Sequence, residues 1–268
     1  MSNNIQVLVA AMHQTDTSLI QRMNLQTDAL IGNQCDRCSD ELYSFGNKHY
    51  VYFNRAERGV GLNRNITLLH AGDGIVTFAD EDMKFVDGYE SIIQSAFEQL
   101  PKADAIVFNI ETIGNNMGRR VNQKSKRIRI WNALNYGAAR ISAKASVLRR
   151  ENITFHTCFG GGTIYSSGED TLFIVDMLKR GLKLYTYPAC IASVDQTSST
   201  WFTGYNAKYL HDKGAFFAAM SKRLAKLLCL QDLIRHSYLY KHANLTFIKA
   251  YKIMKSGINH FKTLKEYS

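Results

Sequence analysis

Three short segments of this sequence carry residue types that could do chemistry together. Asp80-Glu81-Asp82 follows the apolar run 75–79 without a break. Carboxylates two apart at the end of a buried strand present hard oxygens to a cleft. Such a pair suits Mg2+ or Mn2+ bound jointly with a diphosphate, although a polar strand-to-loop turn reads the same way. The second segment is Cys158-Phe-Gly-Gly-Gly-Thr-Ile-Tyr-Ser-Ser-Gly-Glu-Asp-Thr-Leu-Phe173. Its three glycines permit close backbone approach to a ligand. Glu169 and Asp170 open an apolar helix over Leu172 to Leu178 that Gly181 closes. One of the two carboxylates would serve as general base toward an acceptor hydroxyl. Ser167 with Asp170 is equally a capping-box pattern, which would make Asp170 a structural cap, and spacing alone does not separate the two. The third segment is Arg58-Gly-Val-Gly-Leu-Asn-Arg-Asn65. Glycines followed by Asn and Arg64 at a helix start could hold a base or phosphate, or simply make a tight turn.

The elements that must position these residues alternate between two periods. Gln6 to Met12 is a β-rich apolar run, and a helix capped near Thr17 puts Leu19, Ile20 and Met23 on one face. Ala29–Gly32 and His49–Asn54 read as short strands, Gly61–Ala71 as a helix, and Ile75–Ala79 as a strand. Tyr89, Ile92, Ile93, Ala96, Phe97 and Leu100 fall at helical spacing until Pro101 stops them. Asp104–Ile110 is a further strand. This alternation predicts an α/β fold with a mostly parallel central sheet flanked by helices. Ligands of such sheets bind beyond the carboxyl ends of the strands, where Asp80 and Asp82 stand. After Gly204 the chain becomes helix-rich, which divides it into an α/β domain over 1–204, holding all three segments above, and a helical, basic extension over 205–268.

Charge is distributed unevenly. The net value is −7 over residues 1–111, +10 over 112–150, −1 over 151–213 and +8 over 214–268. Basic blocks favour phosphates, nucleic acid or anionic lipid, or else form a solvated surface. The last helix sets Phe247, Ile248, Tyr251, Met254, Ile258 and Phe261 along one face with lysines on the remainder. That face can lie on an anionic membrane or pack on the main domain. No stretch approaches the roughly 20 apolar residues of a spanning helix. The N-terminus lacks the basic start and long apolar core of a signal peptide. Five scattered cysteines, with only Cys35 and Cys38 as a C-x-x-C, read as reduced thiols and not as a zinc site. These features together predict a cytoplasmic protein, peripheral at the inner face of the cell membrane.

In their order and spacing, VLVAAM, RGVGLNRN, FADEDM, and FGGGTIYSSGEDTLF with GLKLYTYP behind it resemble the family 2 glycosyltransferases of GT-A fold. The resemblance covers about residues 5–200 and is strongest to bacterial enzymes of capsular and O-antigen polysaccharide assembly. It implies a UDP-sugar donor, a saccharide acceptor carrying a lipid diphosphate, and Mn2+ or Mg2+ as cofactor. It puts Ala11 and Asn33 at the donor nucleotide, Asp80 at the ribose or metal, Asp82 on the metal, and Arg64 near the nucleobase. Asp170 matches the catalytic base of a single inverting displacement, with Glu169 beside the acceptor. Two positions depart from the pattern. Asn33-Gln34 replaces the acidic residue that usually meets the base, and Asp195 stands where a histidine often ligates the metal. The basic stretch 112–150 would help hold the acceptor's phosphates.

Two other readings compete. A sugar nucleotidyltransferase is expected to carry a Gly-rich, Arg-containing loop after the first strand, where this chain reads Ala11-Met-His-Gln-Thr-Asp16. A non-enzymatic RNA- or membrane-binding protein would use the basic blocks. The aromatic residues form no recognisable stacking platform, so no nucleic acid partner is expected.

Overall fold

The computed structural model describes residues 4–114, 121–195 and 204–266. The chain opens with β1 (Ile5–Met12), α1 (Ser18–Arg22) and β2 (Asp28–Gln34). A hairpin of β3 (Ser39–Phe45) and β4 (Lys48–Arg55) follows, then α2 (Val60–His70), β5 (Ile75–Asp80) and β6 (Met83–Phe85). Next come α3 (Tyr89–Gln99), β7 (Ala105–Ile113), β8 (Ile141–Lys144) and α4 (Ala145–Arg150). The last part holds α5 (Glu169–Lys179), β9 (Leu184–Asp195), α6 (Ala207–Met220), α7 (Ala225–Arg235), α8 (Ser237–His242) and α9 (Phe247–Glu266).

The strands form one nine-stranded sheet in the order β3-β4-β2-β1-β5-β8-β7-β9-β6. β4, β2, β1 and β5 pair in parallel, as do β7 and β9. β8 runs antiparallel to both β5 and β7, so β7 and β9 share the direction of the first group. The edge strands β3 and β6 are antiparallel to their neighbours. The sheet is therefore mixed in its hydrogen bonding while its longer strands mostly point one way. That common direction brings the ends of β1, β2, β5 and β9 to one edge. Ala11, Asn33, Asp80 and Asp195 stand along it, on four different strands.

Alternation along β1 divides the core. Ile5, Val7, Val9 and Ala11 face a layer with Leu19, Tyr89, Ile93 and Phe97 from α1 and α3. Leu8 faces the other, with Leu68 of α2, Phe78 of β5 and Phe173 and Val175 of α5. Each fully buried aliphatic or aromatic side chain here contributes about 1.5–3 kcal/mol relative to exposure. Four strands, β3, β6, β8 and β9, lie outside those the sequence predicts. β3 is an edge strand with no buried residue, and β6 is three residues long.

A third cluster unites α6, α7 and α9 with Phe159, Tyr165 and Leu172 of the segment before and within α5. At the crossing of α6 and α9 the backbones touch. A Cβ on Gly214 would lie 1.9 Å from the Met254 carbonyl oxygen, and one on Gly257 would lie 1.8 Å from that of His211. Only glycine allows helices this close. Met254, Ile258 and Phe261, three members of the apolar face of α9, are buried in this cluster. Packing on the body of the protein, and not a lipid surface, thus occupies the centre of that face. Ile248 alone of the six stays exposed, at 68%. Among the described residues, no helix is long and apolar enough to cross a membrane.

Candidate active site

The Arg58–Asn65 segment builds the site from three consecutive side chains at the start of α2. The Asn63 amide donates to the Gly32 carbonyl at 2.8 Å and to that of Ala11 at 3.4 Å, which seats the helix on the ends of β1 and β2. Asn65 exchanges two hydrogen bonds with the Phe155 backbone, at 2.7 and 2.8 Å. Arg64, between them, turns inward and is 3% exposed. Its Nη2 donates to Asp80 Oδ1 at 2.6 Å and its Nη1 to Asp170 Oδ1 at 2.5 Å, with Glu169 Oε1 at 3.5 Å. The guanidinium lies 5.3 Å from the Phe155 ring centroid, a cation–π distance.

The electrostatics follow from one buried cation facing three carboxylates. Burial opposes the charge on Arg64, but Asp170, Asp80 and Glu169 together outweigh it and push its pKa up. Glu169 moves the other way for an acid. Burial chiefly, and the neighbouring Asp170, raise its pKa to about 7, with Arg64 offsetting part of the shift. Near neutrality Glu169 is therefore often protonated, which suits a hydrogen-bonding group better than a base that must stay charged.

The structure separates the alternatives at Asp170. The N-cap of α5 is Gly168 at φ +119°, with no side-chain cap hydrogen bond. Ser167 and Asp170 form no capping box, and Asp170 instead reaches Arg64. The glycine run has an internal use. A Cβ on Gly160 would fall 2.5 Å from Val60 Cγ1 and 2.8 Å from Glu169 Oε2, so its close approach is to the chain itself. The Gly161 carbonyl accepts from the Val60 amide at 3.2 Å, joining this loop to α2.

The other residues singled out from the sequence take the following places. Arg64 lies among the carboxylates with both terminal nitrogens engaged. Asn33 is 0% exposed. Its amide donates to the Gln14 carbonyl and to Asn54 Oδ1, and its oxygen accepts from the Gln14 amide, so it organises the loop after β1 from within. Ala11 is 1% exposed and presents its side chain to the core. In the basic stretch, Arg140 is buried and donates to the Phe108 carbonyl, and Arg149 donates to the Ala71 carbonyl. Residues 115–120 of that stretch lie outside the described residues.

Glu81, the middle residue of the acidic motif, was missed by sequence reasoning. Its Oε2 accepts from the Met12 amide at 3.2 Å and from Gln14 Nε2 at 2.6 Å. Burial raises its pKa. It binds the loop after β1 to the loop after β5, so that only Asp80 and Asp82 are left to face other partners. The one available clue was its place between two aspartates on a turn.

The register of β6 with β9 brings a fourth acid to this edge. Met83 pairs with Val194 and Lys84 with Ser193, so one residue further Asp82 comes opposite Asp195. Among the described residues, no three His, Cys, Asp or Glu side chains form a complete metal cage. Hard carboxylates in an incomplete set fit a divalent cation that draws its other ligands from a diphosphate and water. A cavity of about 1220 Å³ lined by Asn65, Phe155, His156 and Asp176 borders the site through Asn65 and Phe155, and its lining includes none of Asp80, Asp82, Glu169, Asp170 and Asp195.

The sheet order, the crossing helices and the acidic carboxyl edge define a GT-A-like α/β fold. Solved structures of S. aureus TarS share it. TarS 1-349 in complex with UDP-GlcNAc aligns with a TM-score of 0.60 at 9% identity, over 97% of this chain and 92% of that one. The complex with UDP gives 0.58 at 12% identity over 88% and 72%. A further structure of S. aureus TarS gives 0.60 at 11% identity, over 98% of this chain and 55% of its own. No protein-family model and no curated protein matches the sequence.

Proposed function

We propose that this protein is an inverting glycosyltransferase that moves a hexose or N-acetylhexosamine from a UDP-sugar to a saccharide acceptor. The observation that carries the reading is the meeting of Asp80 and Asp170 on Arg64, at the carboxyl edge of a sheet. Two motifs 90 residues apart in the chain become one site. The likeness to TarS solved with UDP and UDP-GlcNAc supports a nucleotide sugar as donor. The acceptor would carry a lipid diphosphate, with the enzyme at the inner face of the membrane in surface polysaccharide assembly.

In this mechanism Asp170 takes the proton of the acceptor hydroxyl as its oxygen attacks the anomeric carbon in line with the leaving diphosphate. Arg64 fixes the direction of the Asp170 carboxylate, and its own position is fixed by Asp80. Glu169 hydrogen-bonds the acceptor beside the attacking oxygen. A divalent cation, Mn2+ or Mg2+, at Asp82 with Asp80 and Asp195 would stabilise the charge of the departing UDP. Glu81 and Asn33 keep the loop after β1 closed on the nucleotide side.

The test is turnover of a panel of UDP-, GDP- and dTDP-sugars by purified protein with Mn2+. UDP release from one donor, abolished by EDTA and by Asp82→Ala, is the expected result. Failure to hydrolyse any donor, with no thermal shift from UDP plus Mn2+, would overturn the proposal. Release of pyrophosphate would indicate a nucleotidyltransferase instead.

A further inference from the structure

Helix α7 is apolar on both of its sides. One side carries Ala225, Cys229 and Leu233 into the cluster shared with α6 and α9. The other carries Leu224 at its cap, then Leu227, Leu230 and Ile234, which are 52%, 61%, 36% and 66% exposed. At about 100° per residue these four occupy one arc. Lys226 falls at one margin of that arc and Arg235 at the other, both exposed, with exposed Lys222 and Arg223 just before the helix. Tyr238, 46% exposed, follows in α8. A helix that turns such an apolar stripe, broken only by Gln231, toward water lacks a covering on its outer side.

Charge decides what covers it. Between residues 213 and 264 the only acid is Asp232, which is buried and faces Lys213 and His236. The surface around the stripe is thus basic without compensation, so a second copy would set like charges against each other. The stripe is also short. An 11-residue helix extends about 16 Å, too little for the ~800 Å² per partner of a standard protein interface. A lipid surface needs no such area. Shallow burial of leucines combines there with attraction of lysine and arginine to headgroup phosphates, and the long basic side chains reach outward from the margins.

We infer that α7 docks this protein on an anionic bilayer, with Leu224, Leu227, Leu230 and Ile234 entering the headgroup boundary between Lys226 and Arg235. The inference stands apart from the proposed reaction, because it concerns a surface that holds none of the site's residues. It is tested without substrate, by sedimenting the full chain with phosphatidylcholine vesicles that contain or lack phosphatidylserine. Binding only to the anionic vesicles, weakened by salt, is expected. Leu227→Glu with Ile234→Glu should lower the binding at least about tenfold. Lys226→Gln should lower it about fivefold. Leu227→Ser with Ile234→Ser provides a milder pair, and unchanged melting of all variants shows that the fold persists. Equal binding to neutral and anionic vesicles, absence of binding, or variants that bind like the parent would each overturn the inference. So would a concentration-dependent dimer that the same variants abolish, since the stripe would then join two copies.

Discussion

Arg64 and Asp170 lie 106 residues apart in the chain, yet a guanidinium N–H donates to the carboxylate across 2.5 Å. The same side chain reaches Asp80, so the strand that ends in the acidic motif and the helix that opens with Glu169-Asp170 share one buried cation. Removing it leaves three carboxylates in mutual repulsion. Arg64→Met should cost about 2–3 kcal/mol of stability, below the full value for a buried pair because Asp80 and Asp170 are partly solvated. Urea denaturation measures the loss. Adding Asp170→Asn to Arg64→Met should recover part of it, and strict additivity of the two would contradict the pairing.

Asp170 and Glu169 should separate in kinetics. Asp170→Asn is expected to lower kcat about a thousandfold, the loss of a general base, with little change in donor binding. Glu169→Gln keeps a hydrogen-bonding side chain and should lose less, about tenfold, mainly as a raised acceptor KM. Equal losses in kcat would mean that the roles are shared or reversed.

Glu169 also makes a pH-dependent contribution to folding. Its folded pKa is raised to about 7 from an ordinary 4.5, chiefly by burial. The folded state therefore holds the proton more tightly than the unfolded chain does. That stability is fully present below about pH 4.5 and is lost as pH rises through about 7. Glu169→Gln should therefore be more stable than the parent at pH 8, by on the order of 2 kcal/mol, with the advantage shrinking toward pH 5. Parallel stability curves for the two proteins would refute the burial argument.

The Glu81 carboxylate joins the loops after β1 and β5 through Met12 and Gln14. Glu81→Ala should release the β1 loop, destabilise by about 1–2 kcal/mol, and raise the donor KM more than it lowers kcat. Hydrogen exchange at the Met12 amide gives an independent readout, since that amide loses its acceptor in the variant.

Asp195→Ala tests the register argument at the metal. If Asp195 shares the cation with Asp82, the Mn2+ concentration for half-maximal activity should rise about tenfold or more. Unchanged metal dependence would remove Asp195 from the ligand set and leave Asp82 and Asp80 with the diphosphate.

Local signals announced the residues of this site more clearly than their roles. Asp80 was legible because a buried apolar strand ends on it, and Glu169 and Asp170 because an apolar helix begins there. The partner of Arg64 was not legible, since it depends on a contact between distant segments that no periodicity encodes. Asn33 sits at the right strand end, but its amide is claimed by Gln14 and Asn54, which lie before and after it in the chain. β3 mixes polar residues with Leu42, Tyr43 and Phe45 and buries none of them, and β6 is too short for alternation to register. The amphipathic character of α9 was plain in the sequence. What it packs against was not, because helices facing protein and helices facing lipid share the same spacing.

The close crossing of α6 and α9 at Gly214 and Gly257 has a consequence for how the protein comes apart. α6, clamped there by α9, sits beneath the loop that leads to Glu169 and Asp170: Asp212 accepts from the Ser166 amide and hydroxyl, and Phe216 lies against Gly168. The C-terminal helices therefore cannot melt without removing the floor of the Glu169-Asp170 turn. Heating should show a single transition, and a bulky residue at 257 should abolish the proposed activity without touching any of its carboxylates.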